Sequence, residues 1–184
     1  MTDFELTQFI DKSYKNAKAK GFFCDAQLDA AYIAAIHEEL SEAFKAWNKH
    51  EGWLNIDPKP SGVYFELADA VIRVFSFCGY KGIALHEYSL FTDRPYIQDD
   101  LCDLINRSHL TLAQAAEQLE RDDFIDDFEE EMSIKLVAKL LSLFVARIEI
   151  FIEESMEDLH LEDLVDIKLK YNATRGIKHG GNEV

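Results

Sequence analysis

The sequence predicts an all-α fold, a helical bundle in one domain. Apolar residues recur at spacings of three and four in at least five stretches, the period of a half-buried helix. Strand signals are scarce. Only three prolines interrupt the 184 residues, and two of them, Pro58 and Pro60, share one connector. With 48% apolar residues the chain can bury a real core, and its length suits one domain, with or without a sizeable insertion.

A first helix is expected from about Phe4 to Ala19, with Leu6, Phe9, Ile10 and Tyr14 inward and Gly21 as its stop. The second spans roughly Ala26 to Asn48. Ile36, Leu40, Ala43, Phe44 and Trp47 form its expected core stripe, and His37, Ser41, Lys45 and Asn48 its wet face. Glu39 then lies on the opposite flank among Tyr32, Ala35, Ala43 and Ala46, with Glu42 close by. Small residues around a carboxylate imply a neighbouring element packed close, and a desolvated carboxylate needs a partner.

After a loop from Gly52 to Ser61, a third helix is expected from about Val63 to Cys78, ending near Gly79. Its polar residues Glu66, Asp69, Arg73 and Ser76 fall in one narrow stripe. Taken alone, that stripe reads better as an ordinary solvent face in which Asp69 and Arg73 form a routine i,i+4 pair. From Gly82 to about Ser133 the pattern loosens. Thr111 to Glu117 reads as a short capped helix, and the acidic run Arg121 to Glu131 as a solvated segment, because its spacing matches no calcium loop. A long helix follows from about Ile134 to Glu154. It is apolar around most of its circumference, which predicts packing both within the chain and against another subunit. The last helix, about Leu161 to Thr174, aligns Lys168, Asn172 and Arg175 at i, i+4 and i+7. These could grip a polyphosphate or simply face the negative end of the helix dipole.

The chemistry is concentrated in five acidic residues: Glu38, Glu39 and Glu42 in the second helix, Glu66 and Asp69 in the third. Each cluster sets two carboxylates three residues apart, hence as neighbours on a helix surface. Two such helices side by side aim four oxygen ligands at one point. Oxygen donors suit hard cations such as Mg²⁺ or Mn²⁺, whose coordination phosphates can complete. The pattern points to metal-dependent phosphate chemistry. No G-x-S-x-G elbow, paired Cys and His motif or Walker glycine loop offers an alternative.

A net charge of −16 argues against binding a nucleic acid polymer or an anionic membrane. It also requires that any polyphosphate be received by a metal or by local Lys and Arg. Cys24, Cys78 and Cys102 are odd in number and show no metal spacing, so they read as reduced thiols of a cytoplasmic protein. The opening Met1-Thr2-Asp3-Phe4-Glu5 has neither the basic nor the apolar region of a signal peptide.

Three segments in order, Glu38-Glu39-x-x-Glu42, Glu66-x-x-Asp69 and Lys168-x-x-Tyr171-Asn172-x-x-Arg175, resemble the MazG-type all-α nucleoside triphosphate pyrophosphohydrolases. The tail Tyr171-Asn172-Ala173-Thr174-Arg175, followed by His179-Gly180-Gly181, is similar to a variant found in small members of that group. The resemblance implies one MazG-like domain over 1–184 that assembles as a homodimer or homotetramer. It also implies hydrolysis of a (deoxy)nucleoside triphosphate to monophosphate and pyrophosphate with Mg²⁺ or Mn²⁺. By motif position Glu39, Glu42, Glu66 and Asp69 are the expected metal ligands, with Glu38 beside them to hold or activate water. Lys168, Asn172 and Arg175 are the expected phosphate contacts, and Tyr171 helps shape the site. The match departs over 82–160, an insertion between segments that small members join directly.

Two other readings compete. A ferritin-like di-metal bundle needs two Glu-x-x-His pairs, whereas the chain offers one, Glu157-x-x-His160. A non-enzymatic helical interaction module would use the acidic clusters as solvent faces. Trp47, Trp53, Tyr64 and Phe65 lie near the motifs and could stack on a base, although core or wall positions suit each of them better.

Overall fold

The computed structural model describes residues 1–23, 29–57, 59–86, 100–120 and 127–175. Six helices run through them in order: α1 (Asp3–Ala19), α2 (Asp29–Asn48), α3 (Val63–Lys81), α4 (Leu101–Leu119), α5 (Asp127–Ser155) and α6 (Leu161–Thr174). The described residues contain no strand, only an isolated bridge between Asn55 and Ser61. None of the helices is long and apolar enough to cross a membrane.

The most continuously apolar segment becomes the central helix. α3 packs against α1, α2, α5 and α6, so nearly all of its circumference is buried, with Phe65, Leu67, Val71, Val74 and Phe75 fully inside. Its start is tied down by the preceding loop. Backbone N–H groups of Val63 and Tyr64 donate to the carbonyls of Gly52 (3.2 Å) and Trp53 (3.0 Å), satisfying donors that a helix N-terminus otherwise leaves open. Gly62 makes this possible with φ of 102° and a backbone approach that a Cβ would block, 2.9 Å from the Gly52 carbonyl.

Gly79 does not stop this helix. The helix continues to Lys81 and is capped by Gly82 in the left-handed conformation. Gly79 serves instead as a contact point for α1: a Cβ there would come within 2.5 Å of the Tyr14 Cβ. α1 itself starts with a capping box between Thr2 and Glu5.

α2 runs antiparallel to α3, with Asp29 bonded to Lys81 (2.8 Å) at one end and Glu39 to Arg73 midway. Its buried face differs from the expected one. Tyr32, Ile36, Glu39, Leu40, Ala43 and Ala46 turn inward, whereas Phe44 and Trp47 are 38% and 39% exposed and pack on each other. Small residues let α2 approach α3 closely, and this rotates the two aromatic residues out. The start of the second helix as read from sequence, at Ala26, lies outside the described residues, as does Cys24.

Within 82–160, the described residues 100–120 and 127–160 are more regular than the loosened pattern suggests, and 87–99 lie outside the described residues. α4 begins ten residues before Thr111, capped by Asp100, whose Oδ1 accepts from the Asp103 N–H at 3.0 Å. Thr111 is therefore a mid-helix residue, bonding back to the Arg107 carbonyl. α5 begins at Asp127, so the later part of the acidic run forms its first turns, where negative charge suits the helix dipole. The part over 121–126 lies outside the described residues.

α4 and α5 pack antiparallel. At one end Ser133 bonds the Gln118 carbonyl (3.0 Å), and further along Arg147 bonds the Thr111 hydroxyl (2.6 Å). α4 lies on α2, and α5 touches α3 and α6. The C-terminal half of α5 is core, with Leu141, Phe144, Ile148 and Ile152 fully buried. Phe128, Met132 and Leu136 in its N-terminal half are exposed.

Candidate metal centre

The polar stripe of α3 is not a solvent face. Glu66, Asp69 and Arg73 are all only partly exposed, and Ser76 is buried with its hydroxyl bonded to the Ile72 carbonyl. The stripe lies where α2 and α6 meet α3. Arg73 does not join Asp69 one turn below but reaches across to Glu39. Its Nε donates to Glu39 Oε1 at 3.0 Å, and its Nη2 lies 2.9 Å from the same oxygen as an ion pair. Asp69 pairs instead with Lys168 of α6, Oδ2 and Nζ standing 2.5 Å apart.

Glu39, Glu42 and Glu66 come together. One carboxylate oxygen from each lies within 4.8 Å of the others. Two oxygen ligands on opposite sides of a single Mg²⁺ stand about 4.2 Å apart. Small side-chain rotations therefore close these three onto one ion, and hard oxygen donors are the right chemistry for it. Asp69 belongs to the same electrostatic group, since its charge acts on both Glu39 and Glu66.

Burial sets the properties of this group. Glu39 is 9% exposed. Desolvation pushes its pKa up to about 7, the nearby charges of Asp69 and Glu42 add to the rise, and Arg73 opposes it. Burial outweighs the ion pair with Arg73, and the like charges add to it. Glu66 is also raised by burial and by Asp69 and Glu42, with Lys168 and Lys59 opposing. Arg73, Lys168 and Lys59 stand against four carboxylates, so the cations do not outnumber the acidic groups. Such a group of oxygen donors could hold a divalent cation.

Lys168 is the best placed of the tail residues. It is 3% exposed, bonds the Pro60 carbonyl at 3.4 Å and lies over the Phe65 ring. Tyr171 and Asn172 follow along α6, whereas Arg175 stands just beyond it as the C-cap with extended backbone, so the expected i, i+4, i+7 face ends at Asn172; all three are partly exposed, with no described side-chain bond to the carboxylates. This end of α6 is instead fastened to α1, where Lys20 donates to the carbonyls of Ala173 (3.0 Å) and Arg175. His179-Gly180-Gly181 lies outside the described residues. Glu38 is exposed, one residue around the helix from Glu39, on the outer side of the cluster.

Of the aromatic residues near the motifs, Phe65 and Tyr64 are core. Trp47 and Trp53 are surface residues, at 39% and 42% exposure, with Trp53 packed on Tyr64. Glu157 and His160 fall in the connection between α5 and α6 rather than on a helix, which removes the pairing a ferritin-like bundle needs. Glu149, Glu153 and Glu162 form a second acidic group, but the Met1 ammonium already bonds Glu149. A surface depression of about 450 Å³ between α4 and α5 shares no residue with the Glu39 cluster.

Arg73 is the residue sequence reasoning placed wrongly. Its position four residues after Asp69 suggested a local pair. The same spacing also put it on one face with Glu66 and Asp69, and that was the available signal. Set against family models, curated proteins and solved structures, the chain finds no match in any of the three.

Proposed function

We propose that the chain is a MazG-like nucleoside triphosphate pyrophosphohydrolase, a metal-dependent enzyme releasing monophosphate and pyrophosphate from a (deoxy)nucleoside triphosphate. One observation carries the reading: Glu39 and Glu42 of α2 meet Glu66 of α3 within 4.8 Å, and Lys168 of α6 stands at Asp69. Three separate segments thus contribute to one cluster of oxygen donors with a buried cation at its edge. A metal–polyphosphate needs both: oxygen donors for the metal and cations for the phosphates.

Bound there, Mg²⁺ or Mn²⁺ supplies Lewis acidity toward phosphate oxygens and toward water. Glu39, Glu42 and Glu66 would hold the ion, with Asp69, paired here with Lys168, as the fourth proposed ligand. Glu38, at the outer side, orients the attacking water and takes its proton. Lys168 offers its ammonium to a phosphate, Asn172 extends the grip one turn along α6, and Arg175 adds to it from just beyond the helix end, with Tyr171 shaping the wall. Water attacks the α-phosphorus, the bond to the bridging oxygen breaks, and pyrophosphate leaves. Catalysis rests on positioning and charge neutralisation, without a covalent intermediate. The enzyme works in the cytoplasm as a homodimer or homotetramer, with the exposed apolar residues of α5 as its subunit contact.

The pairs Arg73–Glu39 and Lys168–Asp69 favour one second reading, a structural ion-pair network in a helical interaction module. Thermal unfolding separates the two. With Mn²⁺ and a bound nucleotide at a hundredfold excess over Kd, an enzyme site gains about 2.7 kcal/mol. For a domain of this size that is a rise in Tm of roughly 5–10 °C. A purely structural network leaves Tm unmoved.

A further inference from the structure

Arg73 lies outside the three motifs, yet it makes the most directed contact in the cluster. Both of its contacts fall on Glu39 Oε1, a hydrogen bond from Nε at 3.0 Å and an ion-pair contact from Nη2 at 2.9 Å. A guanidinium is a rigid planar group, so a hydrogen bond and an ion-pair contact made by one edge of it restrain that oxygen more than a point charge would. The fork is itself held from the far side by Phe22, whose ring lies 5.3 Å from the guanidinium carbon. Glu39 Oε2 carries no hydrogen bond among the described residues. One oxygen of the most buried carboxylate is therefore clamped, in a side chain that also brings a carboxylate oxygen within 4.8 Å of one from Glu42 and one from Glu66.

We propose that Arg73 is a positioning residue for the metal centre: it clamps Glu39 through Oε1 so that Oε2 is presented to the divalent cation. This rests on the metal-dependent reading given above. The role makes a prediction opposite in sign to that of a simple counter-cation. If Arg73 merely neutralised the cluster, it would compete with the metal, and its removal would tighten metal binding. If it positions Glu39, its removal weakens binding, because partners that orient a metal ligand are typically worth about 10–100-fold in affinity. The side chain of Arg73 is 37% exposed, so its replacement leaves no buried cavity.

The test is direct binding of Mn²⁺ to the full chain without nucleotide, read from the electron paramagnetic resonance signal of free Mn²⁺. The wild type, R73Q and R73K are compared at one pH and ionic strength. The expected result is Mn²⁺ binding weakened about tenfold or more in R73Q. R73K keeps the charge but loses the fork and falls between R73Q and the wild type. If the wild type binds Mn²⁺ and R73Q binds it as tightly or more tightly, Arg73 is a structural or neutralising residue and the proposal is overturned. A wild type that binds no Mn²⁺ overturns the metal-centre reading together with this one.

Discussion

Glu39→Gln is expected to lower turnover on the order of 10³-fold while the protein stays folded. The carboxylate is lost at the point where α2 meets α3, and the amide that replaces it is a poor ligand for a hard cation. A ligand that contributes several kcal/mol of charge stabilisation converts, at about 1.4 kcal/mol per decade, into a loss of that size. Stability should move the other way. Burial pushes the Glu39 carboxyl up to about 7 in the fold, against 4.5 for a solvated glutamate. Its neutral form is thus the one the fold prefers, so the stability it contributes is full below 4.5 and is lost as the pH rises through about 7. At pH 8 the metal-free Glu39→Gln variant should unfold at or above the wild-type temperature, and near pH 5 the difference should shrink. Without such a pattern, Glu39 is not the desolvated carboxylate described. Protons also compete with the metal at this group, so metal-dependent activity should fall as the pH drops below about 7. Circular dichroism and turnover over pH 5–9 examine both effects.

Lys168→Met is expected to damage stability and turnover together. Lys168 is 3% exposed and its ammonium is the counter-cation of Asp69. Removing one partner of a buried ion pair costs about 3–5 kcal/mol because the other is left uncompensated. Asp69 keeps some access to water, with its side chain 18% exposed, and this brings the expected cost to about 2–3 kcal/mol, or a fall of roughly 5–10 °C in Tm. Two features distinguish this from general damage to the core. Asp69→Asn added to Lys168→Met should recover part of the loss, since the stranded charge is gone. Saturating Mn²⁺ should raise Tm more in the single variant than in the wild type, because the metal replaces the missing cation. Equal shifts in both would mean that Lys168 and the metal do not share Asp69.

The fold was legible where pattern and packing agreed. A continuous apolar stretch with one narrow polar stripe marks α3 as central, and the structure surrounds it on four sides. The flank of Glu39, lined by Ala43 and Ala46, told of a close neighbour, and α3 is that neighbour. The inward direction of α2 was less legible, because it was weighted by the large apolar residues Phe44 and Trp47. Large apolar residues are common at surfaces, whereas a close helix crossing demands small ones. The first half of α4 escaped because Asn106, Arg107, Ser108 and His109 break its apolar rhythm. His37 and His109 meet there across α2 and α4, with their Nδ1 atoms 2.6 Å apart.

The candidate site was legible in its membership and not in its wiring. Sequence spacing put Glu66, Asp69 and Arg73 on one face, but a helix surface cannot say which neighbour each will choose. Arg73 has a partner available four residues away and takes one 34 residues away instead. Burial decides this. Glu39 loses water when α2 docks and has the greater need of a donor, while Asp69 is served by Lys168 from a helix almost a hundred residues further along. Such choices belong to tertiary packing, and a one-dimensional pattern carries no record of them.

The central claim is that this cluster splits a nucleoside triphosphate at its α-phosphorus. The most direct measurement is to incubate the purified protein with Mg²⁺ or Mn²⁺ and a panel of canonical, deoxy and modified nucleoside triphosphates, and to separate the products. The account predicts monophosphate and pyrophosphate in equal amounts from one or a few of these substrates, abolished by Glu39→Gln. No turnover of any substrate, or release of diphosphate and phosphate instead, would contradict it.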